Sequence, residues 1–182
     1  MLITLVKAAS PGARDRVYLE RDAEAWQGPV HVVHDLPHLV VESLFGIEDG
    51  LWAELAARVH ADAERAVTAR DPKRQKKGRI VSGAASGART DQWLNPGHRR
   101  AKLITNCVSN RSTDGPDTPA GVRARIARAN DTAADELVGP LDDATIAAAI
   151  RGVQELARQW KDLPPGATLR LSWPLPPDMF KR

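Results

Sequence analysis

Apolar and polar residues alternate over residues 2–7, a stretch rich in β-formers, and Ser10-Pro11-Gly12 follows as a turn. Residues 16–20 repeat the pattern, so the two segments predict an N-terminal hairpin. Gln27-Gly28-Pro29 breaks the chain, and residues 30–33 read as a short strand leading into a helix. From there the period lengthens. A first helix is predicted over residues 36–45, with Pro37 in the first turn, where its missing N–H costs nothing, and Gly46 as the closing residue.

Asp49 restarts a helix expected to run to about residue 70, with Leu51, Leu55, Val59 and Ala63 along its apolar stripe. Residues 98–109 read as helical. Thr118 caps a helix whose first residue is Pro119 and which is expected to reach residue 137, before Gly139-Pro140. Asp142 caps the next, where Ile146, Ile150, Val153 and Ala157 recur at helical spacing beside Leu156 and Trp160. After the turn Leu163-Pro164-Pro165-Gly166, residues 168–173 alternate again, and this last strand is expected beside the N-terminal hairpin. The pattern predicts an α+β domain over residues 1–182: an N-terminal β-hairpin and a C-terminal strand packed on a bundle of four or five helices.

Composition narrows the class. A hydrophobic fraction of 42% in 182 residues is enough to build a core. A single cysteine, Cys107, rules out an internal disulfide framework and a cysteine-based zinc ribbon. The first residues lack the charged start and long apolar run of a signal peptide, and no stretch approaches a membrane span. The expected address is the cytoplasm, with no membrane partner.

Charge changes the picture in one place. The net charge of +3 hides a segment with Arg70, Lys73, Arg74, Lys76, Lys77 and Arg79 against Asp71, six cations to one carboxylate. That local +5 leaves −2 for the rest of the chain. Together with Gly83, Gly87 and Asn95-Pro96-Gly97, it predicts a mobile basic, glycine-rich loop over residues 71–97. Such a loop could contact an anionic partner through counterion release. It lacks interleaved aromatics and a nucleic-acid-binding fold pattern, so a solvated loop is the better reading and nucleic acid is not the expected partner. No phosphate-binding loop, nucleophile elbow or dinucleotide fingerprint is present.

The chemistry concentrates in His34-Asp35-Leu36-Pro37-His38-Leu39-Val40-Val41-Glu42. His34, His38 and Glu42 recur every four residues and share one face if the segment is helical. Two histidines at i and i+4 can reach one divalent ion. Glu42, a further turn on, would be a third ligand if the helix distorts, or would otherwise support a ligand from behind. These nine residues resemble the H-E-x-x-H motif of zincin metallohydrolases, with Asp35 at the position of the glutamate. The resemblance implies that His34 and His38 bind zinc and that Asp35 is the general base on the metal-bound water. An aspartate is one methylene shorter, which puts its reach to that water in question. The wider pattern, with a β segment before HDLxHxxVE and a C-terminal strand ending in Trp-Pro, is similar to a family of small bacterial proteins without an assigned activity.

The same residues also read as helix-start chemistry, with Asp35 as cap, Pro37 in the first turn and Leu36, Leu39 and Val40 as the apolar stripe. His31, His60 and His98 are further candidate ligands, each with an ordinary surface or helix-start reading. Cys107 reads as a small buried hydrophobe, or as a nucleophile paired with a histidine. Two function classes follow. One is a divalent-metal-binding protein, zinc first and iron as alternative, acting as a hydrolase on a small-molecule or peptide substrate. The other is a non-catalytic binding protein whose basic loop meets an anionic partner.

Overall fold

A computed structural model of the chain describes residues 1–10, 12–21, 24–57, 59, 96–109, 117–129, 141–176 and 178–180. Four strands, β1 (Leu2–Val6), β2 (Arg16–Arg21), β3 (Glu24–Pro29) and β4 (Thr168–Ser172), form one sheet in the order β3-β2-β1-β4, antiparallel throughout. The hairpin and the returning C-terminal strand are as the alternation predicts. Between β1 and β2, Gly12 takes a left-handed φ of 83°, which a residue with a Cβ adopts only at a cost. Opposed pairs such as Ile3↔Leu19, Leu5↔Val17 and Ile3↔Leu171 place buried side chains on one face of the sheet.

Two expectations are corrected here. Gln27-Gly28-Pro29 is not a break but the end of β3, an edge strand, where a proline has no ladder bond to lose. Residues 30–33 are not a strand: Val32 already begins a helix.

That helix, α1 (Val32–Leu44), starts four residues earlier than the periodicity suggests. Its N-cap is His31, whose side chain makes no capping bond. Instead, Asp35 reaches back one turn, and its Oδ2 accepts the His31 backbone N–H at 2.9 Å. The cap is therefore supplied from inside the helix, so a search for Ser, Thr, Asp or Asn just ahead of it misplaces the start. Pro37 consequently lies in the second turn, inside the helix and buried, not in the first. Every residue from Leu36 to Glu42 is buried, as expected of a helix covered on all sides. At its end Gly46 has φ 59°, and Ile47 donates to the Glu42 carbonyl at 2.9 Å, a left-handed glycine closure of the predicted kind.

Four further helices accompany α1 among the described residues: α2 (residues 51–57, with 59 also helical), α3 (Pro96–Val108), α4 (Pro119–Ala129) and α5 (Asp143–Asp162). On α2 the buried residues are Trp52, Ala56 and Val59, whereas Leu51 and Leu55 are only half-buried, so the stripe is rotated from the one predicted. Thr118 caps α4 through Gly121, and Asp142 caps α5 through Thr145, both as the sequence indicates. The predicted loop ends earlier than expected, because Pro96 and Gly97 already belong to α3. The rest of that loop, residues 71–95, lies outside the described residues, as does the end predicted for α4.

Helix α1 is held between α3 and α5. Gly152 of α5 permits the close approach on one side: a Cβ there would stand 2.8 Å from Val40 Cγ1 and 2.9 Å from the Phe180 ring. The sheet is tied to the far end of α5 by Lys7 of the N-terminal segment, whose Nζ donates to the carbonyls of Trp160, Lys161 and Leu163 at 2.6–3.0 Å. A cation at a helix C-terminus is favoured by the helix dipole. The inner faces of sheet and helices share one hydrophobic core. No helix among the described residues is long and apolar enough to cross a membrane.

Candidate functional site

Because α1 begins at Val32, His34, Asp35, His38 and Glu42 all stand on regular helix. The imidazoles of His34 and His38 are neighbours, with ring centroids 5.1 Å apart and planes tilted by 32°. The pair straddles the surface: the His34 side chain is 50% exposed, whereas that of His38 is 7% exposed.

Both oxygens of Asp35 have partners. Its Oδ1 lies 2.9 Å from His34 Nδ1, and its Oδ2 holds the His31 N–H. A carboxylate can only accept, so Nδ1 of His34 is the donor in this bond. The Asp35 carbonyl in turn accepts the Trp52 indole N–H at 3.0 Å, which fixes α2 against the first turns of α1.

Glu42 faces inward, 1% exposed. Its Oε1 accepts the Leu51 N–H at 2.8 Å, and its Oε2 accepts those of Trp52 at 2.8 Å and Ala53 at 3.4 Å. These are the first-turn donors of α2, which have no partner within their own helix. The carboxylate fits because residue 50 is glycine: a Cβ there would lie 2.3 Å from Glu42 Cδ. Oε1 also stands 3.8 Å from His38 Nδ1, which is too far for a hydrogen bond.

Two of the other three histidines are among the described residues. His31 is the exposed N-cap of α1, and His60 lies outside the described residues. His98, at the start of α3, is buried with Nδ1 3.4 Å from Glu54 Oε1 of α2. Cys107 is buried in α3, and burial pushes its thiol up from the ordinary value, with the Arg125 charge acting in the opposite direction. A raised thiol holds little thiolate at neutral pH, the reverse of what a nucleophile needs. Among the described residues, no group of three or more His, Cys, Asp or Glu side chains is placed to hold one ion. The basic run from Arg70 to Arg79 also lies outside them.

An open depression lined by Ile47, Asp49, Gly97 and Arg100, among others, sits between the end of α1 and the start of α3. At 1.5 Å per residue, the end of α1 where it lies is about 15 Å from His34, so it is not the site of the histidine pair. There Asp49 Oδ2 accepts the Gly97 N–H at 3.0 Å and so caps α3 from another element, as Glu42 caps α2. Sequence reading missed both carboxylate caps. The glycines that make room for them, Gly50 and Gly97, were the available signal, but a glycine alone does not name its neighbour.

In comparisons with known proteins, no family model, no curated protein and no solved structure matches the chain.

Proposed function

We propose that this chain is a divalent-metal-binding protein whose protein ligands are the Nε2 atoms of His34 and His38. The observation that carries this reading is the separation of the two rings. Two imidazoles bound to one tetrahedral zinc at about 2.0–2.1 Å have their ring centres about 5 Å apart. The pair on α1 has 5.1 Å. The hydrogen bond from His34 Nδ1 to Asp35 supports it further, because it presets the tautomer and ring orientation as a carboxylate behind a metal-bound histidine does.

In this proposal the role of Asp35 is to orient His34 through Oδ1, while its Oδ2 holds the first turn of α1. Glu42 is assigned to α2 in this proposal, because its oxygens accept the first-turn N–H groups there. Zinc is the first choice and iron the alternative, since imidazole suits both. The chemistry such an ion supplies at open coordination positions is acidification of bound water, and hydrolysis is the reaction class that goes with it.

The test is elemental mass spectrometry on untagged protein after anaerobic exposure to zinc and to iron(II), beside His34→Ala and His38→Ala. Near-stoichiometric metal in the wild type, lost in both variants, is the expected result. Wild-type protein that retains neither metal would overturn the proposal.

A further inference from the structure

We propose that His34 is a phosphoryl acceptor, whose Nε2 takes a phosphoryl group from a donor of the phosphoramidate class while Asp35 holds Nδ1. The His34 side chain is 50% exposed, so a donor in solution can reach the ring. Its Nδ1 donates to Asp35 Oδ1 at 2.9 Å. A neutral imidazole that donates from Nδ1 has its lone pair on Nε2, which makes Nε2 the nucleophile. The carboxylate is itself held in place, because its other oxygen accepts the His31 backbone N–H at 2.9 Å. Exposure and a carboxylate partner coincide at no other histidine among the described residues. His38 and His98 are buried. His31 is exposed, but its side chain makes no capping bond and no described carboxylate pairs with its ring.

The step balances without an ion or an oxidant. The Nε2 lone pair attacks phosphorus, the bond from His34 to phosphorus forms, and the donor's own P–N bond breaks as its protonated nitrogen leaves as the amine. The Nδ1 proton stays where it is. The ring becomes a phosphorylated imidazolium, and its new positive charge lies against the Asp35 carboxylate, as an imidazolium does in a Ser-His-Asp triad. The helix adds a second contribution. His34 is the third residue of α1, and side chains lean toward the N-terminus of their helix. The phosphoryl group therefore lies toward the positive end of the helix dipole, which favours its roughly two negative charges. An acyl group brings no such charge, which is why a phosphoryl group is the one assigned.

The experiment is incubation of the wild-type chain and Asp35→Asn with potassium phosphoramidate and a chelator, read by intact mass, peptide mapping in alkali and phosphorus NMR. His34 should acquire one phosphoryl group, on Nε2, several-fold faster than His31 of the same chain. Asp35→Asn keeps an oxygen for the His31 N–H but loses the charge, and should bring His34 down to the rate of His31. His34 reacting no faster than His31, or through Nδ1, would overturn the proposal, as would an unchanged His34 rate in Asp35→Asn. Because His34 and His31 compete within the unmodified chain, their comparison decides the matter even if the variant fails to fold. The chelator keeps the outcome separate from the metal reading, since this reaction needs no ion and its failure leaves that reading intact.

Discussion

Helices α2 and α5 each begin with backbone N–H groups that their own helix cannot satisfy, and each is served by a carboxylate. At α5 the carboxylate is Asp142, three residues before the N–H it accepts and exposed to solvent. At α2 it is Glu42, nine and ten residues before the two donors at 2.8 Å, on a different helix and 1% exposed. The local cap stabilises one helix end. The remote one is a joint: it fixes where α2 leaves α1 and does so inside the core, where an unpaired donor has no water to turn to. The same bond type therefore has quite different consequences in the two places.

Glu42→Leu should show the difference at its largest. It keeps the side chain's approximate bulk but leaves the N–H groups of Leu51 and Trp52 without an acceptor. At about 1–3 kcal/mol for each buried unpaired group, the expected loss is about 2–6 kcal/mol. Urea unfolding followed by circular dichroism checks this. A loss under about 1 kcal/mol would mean that water reaches the joint and that it is no more than another cap.

Gly50→Ala attacks the same joint from outside. The new methyl would lie 2.3 Å from Glu42 Cδ, and the carboxylate would have to leave the α2 donors or α2 would have to move. Overpacking of this kind costs about 1–3 kcal/mol. An alanine variant as stable as the wild type would show that the carboxylate can relocate freely.

The contrast also explains what the sequence could and could not tell. Asp142 with Thr145, Thr118 with Pro119, and Gly46 after Phe45 are signals written within a few residues of the structure they make, and each was readable. The alternation of β1, β2 and β4 was readable for the same reason. What escaped was set by partners distant in sequence or by a choice between local rules. Pro29 looked like a break because nothing in the chain says that β3 is an edge strand. The start of α1 was hidden because its cap comes from Asp35, inside the helix. On the candidate site, the shared face of His34 and His38 followed from spacing alone. The assignment of Glu42 to α2 depends on where α2 comes to lie, which no local pattern encodes.

Trp52→Phe should have a smaller effect. It keeps an aromatic ring in the core but removes the indole N–H that reaches the Asp35 carbonyl at 3.0 Å. One hydrogen bond of this type contributes about 0.5–1.5 kcal/mol, to which the lost ring area adds. If metal binding at the histidine pair is sensitive to how α2 lies against α1, zinc affinity should fall with stability. Unchanged affinity would show that the proposed site does not depend on this hydrogen bond.

The smallest effect belongs to Asp142→Ala, and its pH dependence separates the local cap from the remote joint. Hydrogen bonds from the Thr145 side chain, and then from its backbone N–H, hold the Asp142 carboxyl below the usual carboxylate range. A group whose pKa is lower in the folded chain than in the unfolded one stabilises the fold above the unfolded value, and this contribution fades as pH falls through the folded value. The stability difference between wild type and Asp142→Ala should therefore be constant from neutral pH to about pH 4 and shrink below it. Thermal melts across that range measure it. A difference that persists undiminished in acid would mean that the loss at α5 comes from the changed side chain's conformational preference and not from the charged cap.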